Sequence, residues 1–285
     1  MKAVPTGTVK ALPCEHGCVS EDLLRAAKHG RTVSVCLPAR DEAPTIGPII
    51  EACLELGPLV DEVLVVDDGS RDETCEVAAA AGARVARTVD VLPECGPGRG
   101  KGEALWKSLH AANGDIIVWC DADVHNFSPS FVTGLLAPLL TTDDVAFVKA
   151  FYERPLDGRP NEGGRVTELV ARPLIGLLFP HLAFLAQPLA GECAGRREVL
   201  ERLPFVQGYG VDLALLVDIA ARWGVDAIAQ VDLGTRVHRN RPLSELAPQA
   251  RAIMETALAR AGLDVDVDVE ERPPMVEVPA YRKSA

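Results

Sequence analysis

The chain is short of positive charge: 29 Lys and Arg stand against 41 Asp and Glu, a formal net charge of −12 over 285 residues. That deficit argues against a general nucleic-acid partner, because gripping a phosphate backbone needs a basic face. Long hydrophobic runs are missing as well. None reaches the ~20 apolar residues that a membrane-spanning helix needs, and no basic amphipathic helix offers itself for attachment to a membrane surface. The first residues lack the basic-then-apolar order of a signal peptide, so a cytoplasmic location is expected. No internal repeat is evident. The eight cysteines are scattered, with Cys36 and Cys120 inside strand-like runs, which reads as buried reduced thiols rather than a disulfide framework. Cys14, His16 and Cys18 lie close together, yet no second Cys/His pair follows at zinc-finger spacing, and the segment reads as surface. What the chain does have is 48% hydrophobic residues, enough to bury a substantial core as one large domain or two fused lobes.

The most informative stretch is Val118-Trp119-Cys120-Asp121-Ala122-Asp123, an apolar strand that ends in two carboxylates one residue apart. Charged groups avoid an apolar core unless something compensates them, and a hard divalent cation such as Mg²⁺ or Mn²⁺ does so for carboxylate oxygens. A lone Asp-x-Asp would read equally as a capped turn with solvated side chains. Its neighbours change the reading. Residues 32–42 form another apolar run that ends in the loop Pro38-Ala39-Arg40-Asp41-Glu42, with a helix from about Pro44. Residues 62–66 run into Asp67-Asp68-Gly69-Ser70, an amphipathic segment spans 71–82, and 84–87 is a short strand candidate. Continuous β-branched runs alternating with helical patterns predict an α/β fold around a parallel sheet buried on both faces. Ligands bind such sheets beyond the carboxyl ends of the strands. The three acidic tips therefore fall on one edge, where a nucleotide and its metal can sit together.

Two glycine-rich segments carry the positive charge that an acidic chain would need to bind phosphates. Gly96-Pro97-Gly98-Arg99-Gly100-Lys101-Gly102 fails the mononucleotide P-loop pattern, having Cys95 and Gly102 where that pattern needs Gly and Ser or Thr. It also lacks dinucleotide-site spacing. What remains is a loop with open amides, a lysine and a helix start near Gly102, suited to a diphosphate or a nucleobase edge. Gly163-Gly164-Arg165-Val166-Thr167 brings amides, a guanidinium and a hydroxyl to a helix start, an anion site that could also be a glycine turn capped by Thr167. Arg236, Arg239 and Arg241 surround His238 in a third basic cluster. In the second half, strands are predicted at 145–149 and 227–231, with helices over 165–178, 211–223 and 244–261. A short helix is predicted near 20–29. Residues 264–270 alternate like a strand but are too charged for a central one, and the tail contains Pro273-Pro274.

Pro38-Ala39-Arg40-Asp41-Glu42, Asp67-Asp68-Gly69-Ser70-Arg71-Asp72-Glu73-Thr74 and Asp121-Ala122-Asp123, in that order, resemble the signature of GT-A glycosyltransferases that use nucleotide sugars. The segments 97–106, 163–169, 208–212 and 237–243 narrow the resemblance to the retaining family of glucosyl- and mannosyl-3-phosphoglycerate synthases, over about 33–262. The resemblance implies a GT-A fold: a leader (1–30), a nucleotide-sugar-binding Rossmann-like half (31–150), an acceptor-binding half (151–262) and a tail (263–285). It implies Mg²⁺ or Mn²⁺ held by Asp123 and His238, with Asp121 nearer the ribose or just behind the metal's ligands, and Lys101 on the donor diphosphate. Donor binding is carried over to Pro38, Ala39, Arg40, Glu42, Asp68, Gly69, Ser70, Gly100, Ala122, Tyr209 and Asp212, and a sugar-hydroxyl contact to Glu192. Acceptor binding is carried over to Gly164, Arg165, Val166, Thr167, Asn240 and Arg241.

Two departures from the family pattern stand out. Ala122 replaces a common Ser, which can remove a supporting hydrogen bond, and Asp212 replaces a Glu, which shortens the reach of its carboxylate. The implied partners are a nucleotide-sugar donor, a small phosphorylated acceptor and a second copy of the chain, with no nucleic acid or membrane. Two other classes compete. A nucleotidyltransferase would need a Gly-rich loop directly after the first strand, where this chain has Pro38-Ala39-Arg40-Asp41-Glu42. A silent nucleotide-sugar-binding module is opposed by the intact Asp121, Asp123, Lys101 and His238.

Overall fold

The computed structural model describes residues 19–155, 163–237, 242–264, 266–267 and 269–281. The segment holding Cys14, His16 and Cys18 lies outside them, as do His238, Arg239, Asn240 and Arg241. Helix α1 (Glu21–Ala27) starts where the Ser20 side chain accepts from the Leu23 amide. Then come β1 (Val33–Ala39), α2 (Ala43–Leu54) with a proline in its first turn, β2 (Glu62–Asp67), α3 (Thr74–Ala80) and β3 (Arg84–Arg87). Next are α4 (Gly100–Ala111), β4 (Ile116–Trp119), α5 (Pro129–Thr141) and β5 (Phe147–Glu153). A π-helical turn (Thr167–Ala171) runs into α6 (Arg172–Leu178). The order closes with β6 (Cys193–Arg196), α7 (Arg197–Leu200), β7 (Phe205–Val206), α8 (Val211–Trp223), β8 (Ile228–Thr235), α9 (Leu243–Arg260) and β9 (Glu271–Arg272).

One seven-stranded sheet, in the order β3-β2-β1-β4-β6-β5-β8, organises these elements. Strands β1 to β4 pair parallel, so the tips of β1, β2 and β4 share an edge as the apolar runs predict. Successive side chains point to opposite faces of a strand, and the sheet separates two cores accordingly. Cys36, Leu64, Val66, Ile117 and Trp119 pack on one side with α4 and α8, while Val35, Leu37, Val65 and Val118 pack on the other with α2 and α5. Burial of each such aliphatic side chain contributes roughly 2 kcal/mol.

The sheet is not parallel throughout. Strand β6 runs antiparallel to both β4 and β5. Its residues Cys193, Ala194 and Gly195 are small, and at Gly195 neighbours press closely: a Cβ there would stand 3.0 Å from Phe147 and 3.1 Å from Leu200. Three small residues followed by an arginine give no hydrophobic run to read. Strands β5 and β8 reach further than 145–149 and 227–231, pairing in parallel as far as Glu153 and Thr235. Lys149, Gln230 and Asp232 interrupt the apolar pattern, but the continuing backbone ladder carries Tyr152, Arg154 and Arg236 to the acidic edge. Residues described within 264–270 form no strand; pairing begins at β9, opposite β7. From there the chain locks onto α4. Trp106 Nε1 donates to the Pro273 carbonyl at 2.8 Å, Arg272 forks onto Glu103, and Met275 is fully buried. Among the described residues no helix is long and apolar enough to cross a membrane.

Candidate active site

A cavity of about 810 Å³ opens at the carboxyl ends of β1, β2 and β4. Among the described residues seven basic and six acidic side chains line it, a local surplus of positive charge within a chain of net charge −12. The end of β1 and the loop after it contribute Pro38, Ala39, Arg40 and Glu42, and the turn after β2 contributes Asp68, whose carboxylate faces Arg40 at 3.9 Å. Gly69 and Ser70, expected on the donor, do not line the cavity. Asp67 explains why: its carboxylate accepts from the amides of both residues at 3.2 Å, so they build the turn that presents Asp68. The left-handed φ of +78° at Gly69 is what that turn requires.

Helix α4 brings its first turn to the opposite wall, with Gly100 and Lys101 on the cavity. The amides of a helix start and its dipole favour an anion there. Close packing dictates the glycines: a Cβ on Gly102 would stand 1.9 Å from the Val206 carbonyl oxygen. The loop is pinned by the Arg99 amide donating to Gln207 Oε1 at 3.0 Å and the Gly208 amide donating to the Arg99 carbonyl at 3.1 Å.

The centre of the site is a buried charge network that ties the strand-end aspartates to the far half of the sheet. Arg236 Nη2 donates to Asp121 Oδ2 at 2.8 Å and to Asp123 Oδ1 at 2.9 Å, while its Nε donates to Glu192 Oε1 at 3.0 Å. The phenol of Tyr152 donates to the other Glu192 oxygen at 2.6 Å. Lys101 Nζ lies 3.3 Å from Asp121 and 3.1 Å from Asp212, whose second oxygen accepts from Lys149 at 2.7 Å. The turn itself is held by Thr45 Oγ1, which donates to the Ala122 carbonyl at 2.6 Å.

Glu192 therefore stands behind the cavity wall rather than on it. It is fully buried, and both oxygens are engaged by Arg236 and Tyr152, so the sugar-hydroxyl contact expected of it is replaced by support of Arg236. Asp212 does line the cavity, and two lysines clamp its shortened side chain.

These partners split the two aspartates. Burial alone would push the Asp121 carboxyl up, but Lys101 and Arg236 outweigh it and hold its pKa well below the ordinary value. For Asp123 burial wins, aided by the nearby charges of Asp121 and Glu192, and its pKa is raised despite Arg236. Burial opposes the charge of Lys101 as well, yet Asp121 and Asp212 keep it protonated. Asp123 is thus a cavity-facing carboxylate short of positive charge, with its side chain 28% exposed. A hard divalent cation fits that donor, and the guanidinium of Arg236 already stands as a cation on both aspartates. Among the described residues no three His, Cys, Asp or Glu converge as a ready cage. His238, the other expected ligand, lies outside the described residues, as do Asn240 and Arg241.

The expected acceptor residues Gly164, Arg165, Val166 and Thr167 line the cavity on the side of the π-helical turn, and Tyr209 lines it beside Asp212. The structure adds residues given no role from the sequence. The sequence places Arg236 only in a basic cluster and gives Tyr152, Arg154 and Lys149 no role. Lys149, a charged residue closing an apolar strand run, is the one with a legible signal.

A seven-stranded mixed sheet with acidic tips beside a cationic helix start defines a nucleotide-sugar glycosyltransferase of the GT-A type. The sequence matches Glycosyl transferase family 2 over residues 34–203. It is 54% identical to the glucosyl-3-phosphoglycerate synthase of Mycolicibacterium smegmatis, covering 84% of this chain and 81% of that one. It is 44% identical to the synthase of Petrotoga mobilis, covering 88% of each. Among solved structures, the glucosyl-3-phosphoglycerate synthase of Mycobacterium tuberculosis in complex with Mn²⁺, UDP-glucose and phosphoglyceric acid superposes with a TM-score of 0.87 at 46% identity, covering 93% of this chain and 97% of that one. The chain belongs to glycosyl transferase family 2 and, within it, to the family of glucosyl-3-phosphoglycerate synthases.

Proposed function

We propose that this chain transfers glucose from UDP-glucose to the C2 hydroxyl of 3-phosphoglycerate, giving glucosyl-3-phosphoglycerate. The observation that carries the reading is the convergence, in one cavity, of the aspartate pair, the Lys101 helix start and the turn at 164–167. The first two suit a sugar diphosphate and the third a small anion. The M. tuberculosis relative has been solved with UDP, Mn²⁺ and glucosyl-3-phosphoglycerate, and with Mg²⁺ and UDP. The relatives named above are glucosyl rather than mannosyl synthases, so transfer from GDP-mannose is disfavoured.

Asp123, with His238, would hold Mg²⁺ or Mn²⁺, which supplies Lewis-acid neutralisation of the leaving diphosphate. Lys101 adds a fixed cation on the same group, its charge guaranteed by Asp121 and Asp212. Arg165 and Thr167, with Asn240 and Arg241, orient the acceptor so that its hydroxyl meets the anomeric carbon, and positioning supplies much of the rate. The hydroxyl approaches from the face that the diphosphate leaves, with retention of configuration. In this reading residues 31–150 form the donor half and 151–262 the acceptor half of one GT-A domain, and the enzyme acts in the cytoplasm as a homodimer.

The test is nucleoside diphosphate release by the purified protein with Mg²⁺, across UDP-glucose, GDP-glucose and GDP-mannose, each with and without 3-phosphoglycerate. UDP release that requires 3-phosphoglycerate is the expected result. Release that ignores the acceptor would assign the site a different one, and release from GDP-mannose alone would replace glucose. Proton NMR of the product's anomeric coupling checks retention, and light scattering checks the dimer.

A further inference from the structure

We propose that Arg154 is an anion-binding residue of the acceptor site, its guanidinium receiving an acid group of the acceptor alongside the turn at 164–167. The inference rests on the acceptor named above being a small phosphorylated acid. Arg154 follows directly on β5 and lines the same cavity as Gly164, Arg165 and Thr167.

Its surroundings differ from those of the other deep cation. Arg236 contacts three carboxylates, whereas among the described residues Arg154 forms no ion pair. Its Nη2 donates to the phenol oxygen of Tyr152 at 2.8 Å, and its Nε is buried without an acceptor. The phenol cannot answer the charge: its own proton is committed to Glu192, and burial keeps it neutral by pushing its pKa up. Glu192, which accepts from the phenol, and Asp121, whose charge Arg154 also favours, are already engaged by Arg236 and Lys101.

The guanidinium is also held in a fixed attitude. Its central carbon lies 4.8 Å from the centre of the Tyr152 ring, a stacking contact that leaves the planar fork ready for a two-oxygen acid. The glycine turn closes against it. The Gly163 amide donates to the Arg154 carbonyl at 2.9 Å, and a Cβ on Gly163 would stand 2.7 Å from the Arg154 Cβ. A Cβ on Gly164 would lie 3.5 Å from Arg154 Nη1, so the guanidinium and the turn share one wall of the cavity. A positioned guanidinium with no ion pair among the described residues, beside a glycine turn, is the chemistry that recognises a phosphate or carboxylate.

The test is calorimetric titration of 3-phosphoglycerate into the wild type, Arg154→Gln and Arg154→Lys, paired with steady-state kinetics and a thermal midpoint. Losing a charge-assisted pair should weaken acceptor binding about 10- to 100-fold in Arg154→Gln. The KM for UDP-glucose and the midpoint should hold, and Arg154→Lys should recover part of the loss. Repeating the titration with glycerol 3-phosphate and with glycerate identifies the contacted group, because the penalty disappears for the analogue that lacks it. Equal acceptor binding by wild type and Arg154→Gln overturns the proposal, as does a loss that appears in the donor KM instead. Wild-type binding of 3-phosphoglycerate without turnover would sink the glucosyl-transfer reading alone. No wild-type binding would sink both.

Discussion

Gly191 lies against Asp121 so closely that a Cβ on Gly191 would stand 1.8 Å from Asp121 Oδ2. The position two residues before the antiparallel strand β6 must therefore be glycine for the aspartate beyond β4 to reach Arg236 and Lys101. Gly191→Ala would force the carboxylate aside and break both contacts. We expect kcat/KM for UDP-glucose to fall about 100-fold, since a displacement near 1 Å in a catalytic constellation costs that much. Circular dichroism should show the fold retained. Activity within a factor of three of wild type would show that Asp121 tolerates displacement.

Asp123→Ala removes the carboxylate that burial leaves short of positive charge while sparing the Arg236–Asp121 and Arg236–Glu192 pairs. Metal-dependent turnover should fall at least 100-fold, and Mn²⁺ titrated in the presence of UDP should no longer bind. His238→Ala should behave in the same way. Undiminished Mn²⁺ affinity in both variants would remove these residues from the metal site.

Lys149 is 2% exposed, and its ammonium reaches the cavity wall through Asp212. Lys149→Met leaves a buried carboxylate with, among the described residues, Lys101 as its one remaining cation. Removing one partner of a buried pair costs about 3–5 kcal/mol, and urea denaturation should register a loss of that order. Adding Asp212→Asn should restore much of it, because the uncompensated charge disappears. A double variant no more stable than the single one would show that packing, rather than charge, makes the lysine necessary.

Cys36, Cys53 and Cys193 have thiols pushed up to about 12 by burial, from an ordinary value of 9.0. In the unfolded chain these thiols ionise near the ordinary value while the folded ones stay protonated. Their contribution is therefore fully present below pH ~9 and is lost as pH rises towards 12. Denaturant midpoints should decline across that window, and Cys→Ala at any one position should flatten the decline. At pH 8 a thiol reagent should leave all three unmodified until the protein is unfolded.

The sequence determined the donor edge. Strands β1, β2 and β4 are buried on both faces, so each had to be written as a continuous apolar run, and the switch to Asp68 or to Asp121 and Asp123 marks where the core ends. The glycines around Lys101 and at 163–164 were legible because a turn or a close backbone approach admits no side chain. The tertiary structure alone decided what stands opposite those aspartates. Arg236 is 115 residues from Asp121, and Glu192 is 44 residues from Arg236; only the reversal of β6 and the long β5–β8 ladder bring them together. Nothing local distinguishes a buried arginine with three carboxylates from a solvated one, or a glutamate that grips a sugar from one that supports an arginine. That distinction depends on sheet order, and sheet order comes from packing between segments far apart in the chain.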